Sequence, residues 1–225
     1  IIVGGAPLNA DVEQFLTRIH FPLTVGYGMT ECGPLISYAS SEETKPHSVG
    51  KIVDRMEIRI DSDDPETIPG NIQVRGANVM QGYYKNEKAT SEVMRDGGWM
   101  DTGDRGIIDK DGFIYILGRS KTMILGPSGQ NIYPEEIEAK LNNLPFVNES
   151  LIIEKDGNIV ALIHPDFDAA MQAGNDREKV EKIMAQNIET LNKDIPAYSK
   201  VKEFRIFDEE FEKTPKRSIK RFLYS

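Results

Sequence analysis

A single cysteine, Cys32, in a chain of 225 residues rules out an internal disulfide, which fits a reducing compartment, the cytoplasm being the expected one. Cys32 lies in a glycine-rich stretch with no histidine nearby in sequence, so it reads as a small, inert thiol rather than a nucleophile. The three histidines, His20, His47 and His164, show no metal-ligand spacing, and a surface or strand-end role is expected of each. No apolar run reaches the roughly 18 residues of a membrane-crossing helix, which leaves open only peripheral contact with a membrane. The phosphate-loop pattern GxxxxGK(S/T) is missing. Excess positive charge is missing as well: the net charge is -9, which argues against a general nucleic-acid or anionic-membrane surface. With no initiating Met and no charged segment ahead of an apolar one, no signal peptide is expected. The chain opens instead on the buried-strand run Ile1-Ile2-Val3, as a fragment of a longer protein would.

What is present suits a soluble globular protein, with 39% hydrophobic and 28% charged residues. Ile1-Ile2-Val3 reads as a parallel-type strand ending at Gly4-Gly5. Asn9 is placed to cap a helix with Val12, Phe15, Leu16 and Ile19 on one face. Leu23-Thr24-Val25 is the next strand, ending at Gly26-Tyr27-Gly28, and the whole is a right-handed βαβ unit. Ligands of open α/β sheets sit at the carboxyl ends of such strands, and both glycine clusters fall there. From Val49 to Leu117 the period becomes two. Met56, Ile58 and Ile60 alternate with polar residues, as do Ile72 and Val74, and Asp61 to Asn71 is a connecting turn. The expected result is a small antiparallel β subdomain, with Gly82-Tyr83-Tyr84 and Trp99 in packing roles. Ile107-Ile108 and Phe113 to Leu117 form a hairpin turned at Asp109 to Gly112. Its rim carries Asp104, Arg119 and Lys121, and there the pattern turns from strands to alternating helices and strands.

Beyond that junction, Pro134 starts a helix with Ile137, Leu141 and Leu144 on one face. Leu151 to Glu154 and Ile159 to His164 form a hairpin turned at Asp156-Gly157. Val180, Ile183, Met184, Ile188 and Leu191 mark a long amphipathic helix, and Val201 to Phe207 a third strand. The order α, β, β, α, β is a compact α+β domain. Near its end Lys213, Lys216, Arg217, Lys220 and Arg221 put five cations and no acid into one short segment, either a solubilising tail or a local cradle for phosphates.

Residue chemistry alone singles out Gly26 to Glu31. Two glycines let backbone approach a ligand, Tyr27 offers a stacking face, and Thr30 with Glu31 suits phosphate and Mg²⁺. Four blocks, Gly4 to Leu8 (GGAPL), Gly26 to Glu31 (GYGMTE), Thr102-Gly103-Asp104 with Gly118 to Lys121 (TGD, GRSK), and Gly129 to Glu138 (GQNIYPEEIE), occur in the order seen in one family. Across essentially its whole length the chain resembles the adenylate-forming superfamily of acyl-CoA synthetases, luciferase and peptide-synthetase adenylation domains.

The resemblance implies that residues 1–119 are the end of a large adenylate-forming domain, α/β with a β subdomain, and residues 120–225 a small, mobile α+β domain. It implies that Tyr27 stacks on adenine, with Gly5, Ala6 and Pro7 on the other side of the ring. It implies further that Gly26 and Gly28 frame this loop, Thr30 touches the α-phosphate, Glu31 helps hold Mg²⁺ and Asp104 binds the ribose. Arg119 contacts ribose or phosphate, Lys121 is the hinge, and Gly129 lines the pantetheine channel of coenzyme A. The implied activity is a long-chain fatty-acid–CoA ligase acting through an acyl-AMP made from ATP. A ligase loading a carrier-protein thiol and a non-catalytic adenine-nucleotide-binding relic are the alternatives. The family's upstream phosphate loop has no counterpart, so the fragment alone should be inactive. The family's C-terminal catalytic lysine falls on Ser218. If this segment is extended, Lys216 and Lys220 share Ser218's side and are the candidates to replace that lysine.

Overall fold

The computed structural model describes every residue except Ala6, Ser128, Lys216 and Ser225, so the reading of Ala6 and Lys216 lies outside the described residues. The chain divides into two compact units, Ile1–Lys121 and Thr122–Ser225.

In the first unit, β1 (Ile2–Val3) pairs in parallel with β2 (Thr24–Val25), Val3 opposite Val25. The helix between them, α1 (Ala10–Arg18), is capped by Asn9, whose side chain accepts from the Asp11 and Val12 amides. The expected βαβ piece is therefore present. Yet α1 buries none of its residues: Val12, Phe15 and Ile19 stay exposed on their common face. Next come β3 (Tyr27–Gly28), β4 (Leu35–Tyr38) and β5 (Lys51–Ile52), an antiparallel three-stranded sheet.

The larger sheet holds β6 (Met56–Asp61), β7 (Gly70–Gly76), β9 (Trp99–Ile108) and β10 (Ile114–Arg119) in the order β10-β9-β7-β6. Between β7 and β9 lie the short α2 (Glu87–Val93) and β8 (Met94–Arg95), the latter paired with β9. The alternation puts Met56, Ile60, Ile72, Val74, Met100 and Ile114 into one core with Tyr27, Cys32 and Ile36. Gln73 departs from it, being buried and accepting from Arg59 Nε at 2.7 Å. Two of the aromatic packing assignments are corrected. Tyr84 is 88% exposed, and Trp99 is contacted by the guanidinium groups of Arg59 and Arg75, 4.4 and 4.7 Å from the centre of its ring.

The second unit begins with β11 (Ile124–Leu125) and β12 (Asn131–Ile132), then α3 (Pro134–Leu141) with its proline in the first turn. Strands β13 (Val147–Lys155) and β14 (Asn158–Pro165) are an antiparallel hairpin. A short helix α4 (Phe167–Gln172), absent from the sequence reading, leads to α5 (Arg177–Asp194). Finally, β15 (Val201–Ile206) joins β14 in parallel. Side-chain alternation divides this sheet between two cores. Ile152, Ile159, Ala161 and Ile163 pack with α3 and α5 residues, while Leu151, Val160 and Leu162 pack with Phe211. The architecture is α/β joined to α+β, as the sequence reading expects. Among the described residues no helix is long and apolar enough to cross a membrane.

Candidate active site

The β1–β2 register brings the two glycine loops out side by side. The Gly26 amide donates to the Val3 carbonyl at 2.8 Å, so Gly4-Gly5 and Gly26-Tyr27 leave the same end of the parallel pair. Gly5 has φ of 89°, and a Cβ there would meet nothing within 4 Å, which leaves open space beside its backbone. Pro7 is exposed. Gly26 has room for ordinary contacts. Gly28 corrects the idea that both glycines serve a ligand: its Cβ would lie 2.1 Å from the Pro34 carbonyl oxygen, so the approach of β4 requires the glycine.

Asp104 stands on β9 directly opposite Arg119 on β10 and is nearly buried. The Tyr27 hydroxyl donates to its Oδ2 at 2.6 Å, and Arg119 Nε lies 3.4 Å from its Oδ1. Burial first, and the Asp104 charge second, push the Tyr27 hydroxyl well above its ordinary range, so it stays a donor. Tyr27 is itself buried, so little of its ring is open to a stacking partner. The result is a carboxylate oriented by a phenol and balanced by a guanidinium, poised to accept from further hydroxyl donors.

Thr30, Glu31 and Cys32 form a single 3-10 turn after β3. Thr30 is exposed and Glu31 half-buried. The turn is held from outside. The Met80 amide donates to the Glu31 carbonyl at 2.7 Å, Asn78 Nδ2 to the Cys32 carbonyl at 2.6 Å, and the Tyr83 hydroxyl to Glu31 Oε1 at 3.0 Å. Among the described residues no group of three His, Cys, Asp or Glu could hold a metal by itself. One carboxylate is nonetheless what Mg²⁺ needs when substrate phosphates supply further oxygens, so Glu31 fits such a role. Burial raises the Cys32 thiol to about 11, which keeps it protonated and inert.

The remaining residues lie at the junction or in the second unit. Lys121 is the exposed last residue of the first unit. Gly129 has φ of 83° and shapes the β11–β12 turn, its amide donating to the Gly126 carbonyl at 2.9 Å. Three of the five cations of the basic segment are held by acids, and Arg217 is exposed. Lys213 is paired with Glu149 and Glu210, Lys220 with Glu212 at 3.0 Å, and Arg221 with Glu138 and Glu135. The segment folds back on itself between Thr214 and Ser218. The Thr214 amide donates to the Ser218 carbonyl and the Arg217 amide to the Thr214 carbonyl, both at 2.8 Å, with Arg217 at φ 63°. The turn closes at Ser218, and Ser218 to Lys220 run back as its second arm, with Ile219 bridged to Lys213 and the Lys220 amide donating to the Glu212 carbonyl at 2.8 Å, so the two-residue spacing of Ser218 and Lys220 falls on that arm, while Lys216 lies outside the described residues.

Sequence reasoning missed Tyr83 and Asn78. Their signal was a tyrosine pair directly after Gly82, which resembles ordinary packing until the Thr30–Cys32 turn is seen beside it.

Comparison with known proteins gives the family. Residues 1–84 match the AMP-binding enzyme family, and residues 121–224 match the AMP-binding enzyme C-terminal domain. A 2-succinylbenzoate–CoA ligase of Bacillus cytotoxicus is 37% identical over 160 residues, which are 69% of this chain and 33% of that protein. The long-chain-fatty-acid–CoA ligase FadD15 of Mycobacterium bovis is 35% identical over 152 residues, 68% of this chain and 24% of the relative. Among solved structures, the o-succinylbenzoate CoA synthetase of Bacillus subtilis in complex with its acyl-adenylate intermediate superposes with a TM-score of 0.84. It is 27% identical, over 100% of this chain and 46% of the other. The same synthetase with ATP and magnesium gives a TM-score of 0.81 at 28% identity, over 99% and 45% of the two chains. The chain thus spans a third or less of the length of these two curated relatives. With both family matches, the ordered sequence blocks and a fold shared over its whole length, the chain belongs to the adenylate-forming superfamily of AMP-binding enzymes.

Proposed function

We propose that the protein carrying this chain is an AMP-forming acid–thiol ligase that activates a long-chain fatty acid and transfers it to coenzyme A. The observation that carries the reading is Asp104, oriented by Tyr27 and balanced by Arg119. Beside β1 and β2 lies the space at Gly5 that an adenine ring would take. Asp104 accepts from the ribose hydroxyls, Thr30 donates to the α-phosphate, and the base lies against Gly5 and Pro7, with Tyr27 serving chiefly to orient Asp104. Glu31 holds magnesium, whose charge when bound neutralises the phosphates.

A carboxylate oxygen of the acid attacks the α-phosphorus of ATP and pyrophosphate leaves. The thiol sulfur of coenzyme A then attacks the acyl carbon, AMP leaves with the bonding electrons, and the thiol proton passes to solvent. The protein contributes position and charge compensation rather than a covalent group. Lys121 serves as the hinge between the half-reactions, and Gly129 lines the thiol's path in the second. Ser218 cannot supply a cation, and Lys220 would have to exchange Glu212 for a phosphate oxygen. An aryl acid such as 2-succinylbenzoate is the second reading, favoured by the 37% identical relative.

The natural protein containing this chain should catalyse ATP–pyrophosphate exchange with palmitate and much less with 2-succinylbenzoate. The reverse preference would replace the fatty acid by the aryl acid, and no exchange with any carboxylic acid would overturn the ligase reading. Asp104→Ala should lower the catalytic efficiency for ATP at least about tenfold, the loss of one charged hydrogen bond of about 1.5 kcal/mol. Lys121→Pro should spare exchange and cripple thioester formation, because proline freezes φ near about -65°. Equal loss in both half-reactions would make Lys121 a structural position only.

A further inference from the structure

The Thr30–Cys32 turn has no side-chain cap of its own at Met29, and the segment Asn78–Tyr83 restrains it instead. Asn78 Nδ2 and the Met80 amide hold its backbone through the Cys32 and Glu31 carbonyls. The side chain of Glu31 meets a single donor among the described residues, the Tyr83 hydroxyl at Oε1, while Oε2 has none.

Tyr83 is fixed in turn by its own neighbourhood. Its amide donates to Thr90 Oγ1 at 2.9 Å, and its carbonyl accepts from the Asn86 amide at 3.1 Å. Asn86 caps α2 through the Ala89 amide. Gly82 lies so close to Thr90 that a Cβ would meet Thr90 Cγ2 at 2.8 Å. The phenol therefore projects from a backbone with little freedom. Toward a carboxylate oxygen a phenol hydroxyl can only be the donor, so the bond to Glu31 Oε1 has one direction.

We propose that Tyr83 is a positioning residue of the metal site: its hydroxyl holds Glu31 Oε1 so that Oε2 alone is presented to a divalent cation bound with the nucleotide. A free glutamate must give up rotamer freedom when it takes a cation, whereas a glutamate already held by a phenol has given up much of it on folding. The inference rests on the reading of Glu31 as the magnesium ligand, and the same experiment separates the two.

The test uses the natural protein with ATP and Mn²⁺ as a paramagnetic stand-in for Mg²⁺, bound metal being counted by electron paramagnetic resonance. Tyr83→Phe should raise the Mn²⁺ dissociation constant about tenfold, at the low end for an outer-shell partner of a metal ligand. AMP affinity in EDTA should not change. The Mg²⁺ concentration for half-maximal pyrophosphate exchange should rise in parallel. In a Glu31→Gln background the same substitution should add nothing, since the group that it positions is gone. An unchanged Mn²⁺ constant in Tyr83→Phe, with a raised one in Glu31→Gln, would overturn the role of Tyr83 alone. An equal effect of Tyr83→Phe in both backgrounds would also overturn it, because Tyr83 would then act without Glu31. An unchanged constant in Glu31→Gln would remove the metal from Glu31, and the positioning role with it.

Discussion

Helix α1 carries Val12 and Phe15, with Ile19 at its C-cap, on one face and buries none of its residues. Helix α5 carries Val180, Met184, Ile188 and Leu191 on one face and buries all four. Both are capped at the start by an Asn or Asp side chain, Asn9 and Asp176, and both have the 3.6-residue stripe of a helix meant to be covered on one side. The difference lies in what each is offered. The strands that α1 connects are two residues long, while α5 faces β13, β14 and β15 together with α3. A stripe states which face favours burial; a surface of matching size has to come from elsewhere in the structure.

The comparison breaks most visibly in the core of the second unit. Met184→Ala or Leu191→Ala should lower its unfolding free energy by about 2–5 kcal/mol in urea titrations, since each leaves a cavity where the side chain is fully enclosed. A loss below about 1 kcal/mol would mean that α5 is not part of a closed core.

The core of this unit also encloses a carboxylate. Burial raises Glu138 to about 7, and its pairing with Arg221 opposes the rise. The folded state then binds this proton more tightly than the unfolded state, whose value is near the ordinary 4.5. Stability of the unit should accordingly fall as pH rises from about 4.5 to about 7 and level off above. Glu138→Gln should flatten that slope, and a slope unchanged in the variant would assign it to other groups.

At α1 the effects should be smaller. Asn9→Ala removes the side chain that accepts from the Asp11 and Val12 amides, and about 1 kcal/mol of local helix stability should go with it, read by amide exchange in α1. Phe15→Ser should change the stability of the 225-residue chain by no more than about 0.5 kcal/mol, because Phe15 is already 52% exposed. A loss above about 1 kcal/mol would show that this face is covered in solution.

The same contrast explains which features were legible beforehand. The βαβ piece, the β subdomain and the α+β unit were readable because period two, period 3.6 and turn residues are local signals. Gly5, Asp104, Arg119 and Glu31 stood out by residue type and order. Tyr83 did not, since its partner is 52 residues away and nothing local separates a phenol that packs from one that donates. The basic segment misled for a similar reason. Five cations close in sequence suggested an open positive surface, yet three of them, Lys213, Lys220 and Arg221, are paired with Glu135, Glu138, Glu149, Glu210 and Glu212, which come from α3, β13 and the segment after β15.

By itself the sequence determined the βαβ piece, the β subdomain and the order of the longer elements after Lys121, which of their faces are apolar, and that the ordered blocks are those of an adenylate-forming enzyme. Each of these depends on contacts between residues near one another in the chain. Tertiary structure alone decided that Gly28 yields to the Pro34 carbonyl, that Tyr27 donates to Asp104, that Tyr83 holds Glu31, and that Lys220 is occupied by Glu212. Hydrogen bonds and ion pairs form only within about 3–4 Å; for Gly28 that distance is set by strand pairing, for Tyr83 by the backbone bonds around it, and for Tyr27 and Asp104 by a core shared between two sheets. Lys220 meets Glu212 across the fold-back of the C-terminal segment, where the Lys220 amide also donates to the Glu212 carbonyl at 2.8 Å.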